Sequence, residues 1–543
     1  MEKKKTFIII AVALLVLSIG ITFAYFIAKI GPGSSANVNV TTGTVDDLKF
    51  NVSKENLSLN INQFNFASGS GNITDTVTAT ASLKANSTKN TATYNYYVYF
   101  QIDSNNYVYT TTDKKPEIVL SITGPNGEIT SVDGLKYVSA TNADGTVVKG
   151  FDITEQRTSV IKIADSFEIS STSSTNYTNQ DWIFKVSFIN LDTNQADNEG
   201  KKLTGKALIQ QEKIITSISD VAKSGDALAT VLETLGTKGD SSLTGLYHHD
   251  ASLTNGAGDN SYRFAGADPN NYVCFGSDEA TCPTENLYRI IGVIDGKVKL
   301  IHVYGATTDM LGTDEGYAKT YQEVWGRYSS YYKGNGDLTK IGSYKWNKSG
   351  TNTWSTSTTN ITNLNINFLT YLDGKNAKWK TMIDDTTWYV GGMTGANGFL
   401  SNAKTAYDYE VGTNKDASTT ITSKIGLMYV SDYYYAVPKN YWTLSGRSSD
   451  KNDYRTAIND NWLYTGLYEW TISRDFDDSG YTFGVSVVGF LFDGVVNNSL
   501  GLAVRPSFSL SSSIKFTSGE GTAVNPIRVI LWLGDYACLG RKG

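Results

Sequence analysis

The sequence predicts a multidomain, mainly β protein with an apolar helix at its N-terminus, and three observations carry that prediction. At 543 residues the chain is too long for one hydrophobic core, so two globular domains and a short appendage are expected. From about residue 45 to 215, nine short segments alternate apolar and polar side chains, the period-two signature of half-buried strands. Tyr (34) and Gly (50) are abundant while Pro (8) is scarce, which suits strand-rich exported proteins with polar loops. A net charge of -6 with 18% charged residues supplies neither a polyanion-binding surface nor an acidic tail, so nucleic acid is not an expected partner.

The N-terminus indicates where the protein works. A basic MEKKKTF precedes an almost unbroken apolar run over residues 7–28, long enough to cross a bilayer core. Lys3, Lys4 and Lys5 stay in the cytoplasm on this reading and everything after Lys29 lies outside. Residues 1–30 are a single-pass anchor or, cut after Ala24 in Thr22-Phe23-Ala24, a removable signal. Either outcome gives an extracellular protein, held at the cell surface by the anchor or secreted after cleavage.

After the spacer Gly31-Pro32-Gly33-Ser34-Ser35, residues 36–215 read as an immunoglobulin-like β-sandwich acting as a stalk, with turns such as Gly124-Pro125-Asn126-Gly127. Asp152, Glu155, Asp165 and Glu168 are expected to be solvated strand edges. Residues 216–242 form a helical linker: Val221, Leu228, Val231, Leu232 and Leu235 fall at helical intervals, and Gly236 or Gly239 can end the helix. One heptad is too little for a coiled coil.

Residues 243–529 turn rich in Tyr, Trp, Asn and Gly and read as an α+β domain, with residues 530–543 as a tail. LYRIIGVIDGKVKLIH predicts a hairpin turned at Asp295-Gly296. IGLMYVSDYYYA predicts a strand leaving toward a loop, and NITNLNINFLTYL a helix capped by Asn360 or Thr362. Cys274 and Cys282 close a small loop as a disulfide in an oxidising compartment; a zinc site would need further ligands, and His248, His249 and His302 are not spaced to supply them. Cys538 has no evident partner. His248 and His249 are expected to cap a loop. Tyr433, Tyr434, Tyr435, Tyr441 and Trp442 could equally line a groove or fill the core.

From residue 471 to 514 the chain lacks Lys, Glu, Gln, Met and Trp altogether. Replacing the adenines of an AAY codon at random gives NNY codons, which encode none of those five; a buried strand would lack Lys and Glu as well. The gap is preceded by NWLYTGLYEWTISR and followed by AVRPSFSL and GEGTAVNPIRV. With LYHHDASL, NYVCFGSDEATCP, NLYRIIGV and KIGLMYVSDY earlier in the chain, these segments resemble the C-type-lectin-fold variable proteins diversified by retroelements in bacteria and phages.

The resemblance implies a C-type-lectin-like domain over residues 243–529. It makes Trp470, Phe483, Val485, Arg505 and Pro506 framework, and Gly484, Ser486, Val487, Val488, Phe490, Leu491, Phe492, Asp493, Gly494, Val496, Asn497, Asn498, Ser499 and Leu500 a variable display face. Displayed together, the apolar members Val487, Val488, Phe490, Leu491, Phe492, Val496 and Leu500 would form a patch larger than soluble monomers tolerate, which implies a ligand on another cell, a phage or a host, a protein in preference to a glycan. Asn placed at Phe490, Leu491 and Phe492 should then abolish capture and spare stability. The fold is shared with formylglycine-generating enzymes, but those need a cysteine pair in the second half of the domain, where this chain has none before Cys538. Calcium, used by sugar-binding C-type lectins, would have only Asp475, Asp477 and Asp478, which read better as a solvated turn. No catalytic residue, metal or cofactor is expected. The alternatives are a fibre or pilin-like component and an adhesin of fixed specificity.

Overall fold

The computed structural model describes residues 46–62, 73–157, 159–414 and 418–531. The apolar run at the N-terminus, Ala24, Cys538 and the tail from residue 532 lie outside the described residues. Among those described, no helix is long and apolar enough to cross a membrane. The protein is mainly β and forms two compact units, one ending at Ile214 and the other beginning at Ile215.

The first unit contains β1 (Asp47–Val52), β2 (Leu57–Asn60), β3 (Ile73–Lys84), β4 (Ala92–Asn105), β5 (Ile118–Gly124), β6 (Gly127–Glu128), β7 (Tyr137–Thr141), β8 (Val147–Asp152), β9 (Ser159–Ser171), β10 (Thr178–Phe188) and β11 (Lys202–Gln210). One sheet has the order β1-β3-β10-β5-β8-β7 with β6 on β5; the other is β2-β11-β4-β9. Alternate residues of β3 and β10 point inward, and the inner faces share one core. Phe100 of β4 stacks on Phe184 of β10 at 5.6 Å, and Phe167 of β9 meets Trp182 of β10 edge-on at 5.1 Å. Strand β7 had no counterpart among the predicted segments. Glu155, Asp165 and Glu168 are exposed, while Asp152 is half-buried and accepts from Tyr109 Oη at 2.9 Å.

The second unit contains β12 (Leu246–His249), β13 (Ser261–Phe264), β14 (Tyr272–Cys274), β15 (Leu287–Ile294), β16 (Lys297–His302), β17 (Tyr317–Thr320), β18 (Gly342–Tyr344), β19 (Thr386–Val390), β20 (Thr419–Ser423), β21 (Ile425–Gly426), β22 (Glu469–Arg474), β23 (Tyr481–Val485), β24 (Leu491–Val495), β25 (Ser507–Ser509), β26 (Ile514–Ser518) and β27 (Arg528–Leu531). Its main sheet runs β12-β13-β15-β16-β25-β21 with β14 on β15, and β22-β23-β24 form a separate three-stranded sheet. Asp295 and Gly296 turn the β15–β16 hairpin with φ of 51° and 70°, a left-handed pair suited to a two-residue loop. Helix Leu228–Lys238 buries Leu228, Val231, Leu232 and Leu235 in the core of this unit. It runs through Gly236 to stop at Gly239, and at 236 the close approach of Tyr262 leaves no room for a Cβ, which would lie 2.5 Å from its ring. Cys274 and Cys282 form a disulfide with Cα atoms 5.8 Å apart.

Two local expectations are corrected. The predicted strand from residue 425 lasts only two residues before helix Val430–Tyr435 begins, because Asp432 must reach Arg263 (3.2 Å) and Lys299 (2.6 Å) while accepting from the Tyr429 N–H (2.9 Å). The helix over residues 360–372 forms, as a wide π-type turn Thr359–Phe368 continuing into Leu369–Lys375, but neither Asn360 nor Thr362 caps it. Asn360 and Asn363 instead donate to the carbonyls of Trp354 and Leu311, each at 3.0 Å.

Candidate ligand-binding face

The three-stranded sheet is built on a buried polar and aromatic anchor. Glu469 at the start of β22 pairs with Arg505 at 2.7 Å, and Arg505 also donates to the Leu463 carbonyl at 2.8 Å. Burial raises the Glu469 carboxyl above its usual range, opposed by the Arg505 charge. Trp470 donates to the Tyr344 carbonyl at 2.8 Å and is almost fully buried. Strands β23 and β24 pair from Tyr481↔Val495 to Val485↔Leu491. Gly484 and Gly494 make room for one side chain between them: a Cβ on Gly484 would meet the Phe492 ring at 2.9 Å, and one on Gly494 would meet Trp470 at 2.6 Å and Phe492 at 3.2 Å.

The hairpin tip turns inward. Gly489 N–H donates to Ser486 O (2.9 Å) and Ser486 N–H to Phe490 O (3.0 Å), closing the turn. The outer carbonyls are then taken by the core: Tyr464 donates to Val487 O at 2.5 Å and Tyr433 to Gly489 O at 3.0 Å. This overturns the expectation that all fourteen positions are displayed. Gly484, Ser486, Val487, Leu491, Gly494 and Val496 are buried, with Leu491 and Val496 at 0% exposure. The physical reason is strand alternation plus a tip whose carbonyls need internal donors. Val488, Phe490, Phe492, Asp493 and Asn498 are half-buried, and Asn497, Ser499 and Leu500 are exposed along with Val495. The framework residues Trp470, Phe483, Val485, Arg505 and Pro506 are all buried.

Each half-buried phenylalanine sits in a frame supplied from elsewhere in the chain. The guanidinium groups of Arg447 and Arg455 lie 5.1 and 5.3 Å from the Phe490 ring centre. Arg455 Nε donates to Asp453 at 2.7 Å, which raises its pKa further. Burial alone would raise the Asp453 carboxyl, but donors from Arg455 and Ser448 outweigh it and hold it below the usual range. Phe492 meets Tyr468 edge-on at 5.7 Å, Tyr468 in turn contacts Tyr328 at 5.6 Å, and Arg327 lies 4.9 Å from the Tyr328 ring centre. Sequence reading missed Arg327, Tyr328, Arg447, Arg455 and Tyr468. They lie outside the 471–514 window and follow no period, so only their proximity in the fold marks them.

The other candidates resolve into structural roles. Tyr433, Tyr434, Tyr435 and Trp442 are core, and Tyr441 is half-buried. His249 caps a loop by accepting from the Ala257 N–H at 3.0 Å, and burial pushes its imidazole well below the usual range. The turn at Asp475, Asp477 and Asp478 directs its carbonyls to an amide: Asn352 Nδ2 lies 2.6 Å from Asp475 O, 2.9 Å from Asp478 O and 2.8 Å from Tyr481 O. Among the described residues no cluster of three His, Cys, Asp or Glu side chains is placed to hold a metal ion. No family model, curated protein or solved structure matches this chain.

Proposed function

We propose that this is a cell-surface ligand-binding protein in which an immunoglobulin-like stalk carries a C-type-lectin-like domain, and that the outer half of the β23–β24 hairpin contacts a protein ligand. The observation that carries the reading is the pair Phe490 and Phe492, each part-exposed and framed by Arg447 and Arg455 or by Tyr468 and Tyr328. Large aromatics and arginines dominate the binding energy of protein interfaces, because they offer apolar area with charge or hydrogen bonds at the rim. Retroelement diversification, on this reading, is confined to Val488, Phe490, Phe492, Asp493, Asn497, Asn498, Ser499 and Leu500. An adhesin of fixed specificity is the second reading, favoured by the burial of Ser486, Val487, Leu491 and Val496 inside the same window.

Sequencing the gene across isolates separates the two. Adenine-directed differences at the eight outward codons, with Leu491 and Val496 constant and a near-copy of the segment beside a reverse transcriptase, support diversification. An invariant segment leaves fixed specificity. Substitutions spread equally over buried and outward codons would refute the assignment of the face itself. The triple Asn substitution also divides: Leu491→Asn is expected to cost about 3 kcal/mol or more, as loss of a buried side chain does. Phe490→Asn and Phe492→Asn are expected to cost about 1 kcal/mol each, since part of each ring is already in water. Urea unfolding of the three single variants checks this ordering.

A further inference from the structure

A cleft of about 360 Å³ opens in the second unit between β14–β16, residues 333–335 and residues 458–465. No residue of the β23–β24 hairpin lines it; Tyr464 stands between the two, its ring on the cleft and its hydroxyl on Val487 O. The volume lies within the range of about 300–1,000 Å³ typical of small-molecule sites.

Two almost fully buried arginines line this cleft with N–H groups left over. Arg289 is 6% exposed and lies between the rings of Tyr272 and Trp462, at 4.1 and 4.8 Å. Its Nε donates to Asn271 at 2.6 Å and its Nη2 to Asp268 and Pro269 O, each at 2.9 Å. Its Nη1 donates to no described residue. Arg505 is 4% exposed; Nη2 is committed to Glu469 and Leu463 O, Nε is buried without a partner, and Nη1 again donates to no described residue. Lys333 brings an exposed ammonium that makes no ion pair among the described residues.

Other polar groups of the lining are engaged, while Asp268, which pairs with Arg289, also brings an exposed carboxylate to the cleft. Both ring nitrogens of His302 face carbonyls, Tyr304 O at 2.6 Å and Glu285 O at 3.1 Å. Trp462 Nε1 donates to Phe264 O at 2.9 Å, and Asn461 to Tyr433 O at 3.1 Å. A buried guanidinium with an idle Nη1 forgoes hydrogen bonds, and a carboxylate, with two acceptor oxygens, can take one from each arginine. We propose that this cleft binds a small carboxylate-bearing ligand, its carboxylate received by the idle N–H groups of Arg289 and Arg505 with Lys333 adding charge at the mouth. The proposal does not rest on the hairpin as a ligand site, although Arg505 and Tyr464 also support that hairpin.

The test is isothermal titration of the full chain in detergent with galacturonate, N-acetylneuraminate, citrate and pyruvate, each beside its methyl ester, and with inorganic phosphate. At least one free acid should bind saturably, about tenfold or more tighter than its ester and than phosphate. Lys333→Gln, an exposed change that spares the fold, should weaken that acid about threefold to tenfold, and Arg289→Lys should weaken it further with the melting temperature checked alongside. Acid and ester binding equally, phosphate binding as tightly as the acid, or no acid binding at about 10 mM would each overturn the proposal.

Discussion

The sandwich buries Glu117 among neutral donors, whereas the second unit, besides Glu410 on neutral donors, also buries carboxylates against cations. In the sandwich, Glu117 is 0% exposed and is held by neutral donors: the Thr110 N–H (2.5 Å) and hydroxyl (2.7 Å), Gln195 Nε2 (2.8 Å) and Asn198 Nδ2 (2.6 Å). In the second unit, Asp432 sits between Arg263 and Lys299, and Glu469 pairs with Arg505. The difference follows from strand content. Long ladders satisfy most of the sandwich backbone, and neutral side chains such as Asn105, Asn142 and the Glu117 cluster serve its loops. The second unit carries long irregular segments, such as 345–358 and 437–468, that cross the core edge and have few ladder partners. Side chains must pin them, and buried charges in turn require charged or multiple partners.

The largest expected break is Asp432→Ala, which leaves two buried cations facing each other and should destabilise the second unit by about 3–5 kcal/mol. Urea unfolding read by tryptophan fluorescence isolates the effect, because Trp182 is the lone tryptophan of residues 46–214. A loss confined to Trp182 would reverse the comparison.

Next comes pH. Burial raises Glu410 to about 7, against the hydrogen bonds of Ser431 and Ser473. Unfolded, the group titrates near 4.5, so between these values the folded state holds the proton better. Stability from this group is full below pH about 4.5 and falls as pH rises to about 7, where the carboxyl must ionise inside the core. Buried His249 and His302, held below the usual imidazole range, work in the opposite sense over the same window, so the check is a difference: the parent's second-unit midpoint should fall more, or rise less, from pH about 4.5 to about 7 than that of Glu410→Gln.

Smallest is Glu117→Ala, expected to cost about 1–3 kcal/mol as buried donors lose their acceptor. It should lower the sandwich transition alone. A change in the second unit's midpoint would show that the two do not unfold as separate units.

The sandwich was the more legible half. Its strands announce themselves because a sheet with one wet face forces alternation, as in β3 and β10. β7 escaped because YVSAT is mostly half-exposed at a sheet edge, with one buried position. In the second unit the Asp295-Gly296 hairpin and the Cys274–Cys282 loop were readable, since both are local: the left-handed turn and the short ring are fixed by neighbours in sequence. The helix at Val430–Tyr435 was not, because its cause is Asp432 reaching partners on β13 and β16.

The site divides along the same line. Composition alone marked residues 471–514 as unusual, and the lack of Lys and Glu there is also what a buried strand shows. Which side chains of the β23–β24 hairpin face water was decided by contacts far away in the chain: Tyr433 and Tyr464 drawing the tip carbonyls inward, and Trp470 filling the space over Gly494. Sequence by itself determined the strand periodicity, the turn chemistry and the length that forces two cores, because these depend on local sterics and on total apolar content. Tertiary structure alone decided burial within the hairpin, the partners of each buried charge and the idle guanidinium groups around the cleft. Those depend on which distant groups arrive to spend each hydrogen bond, and no local pattern encodes that.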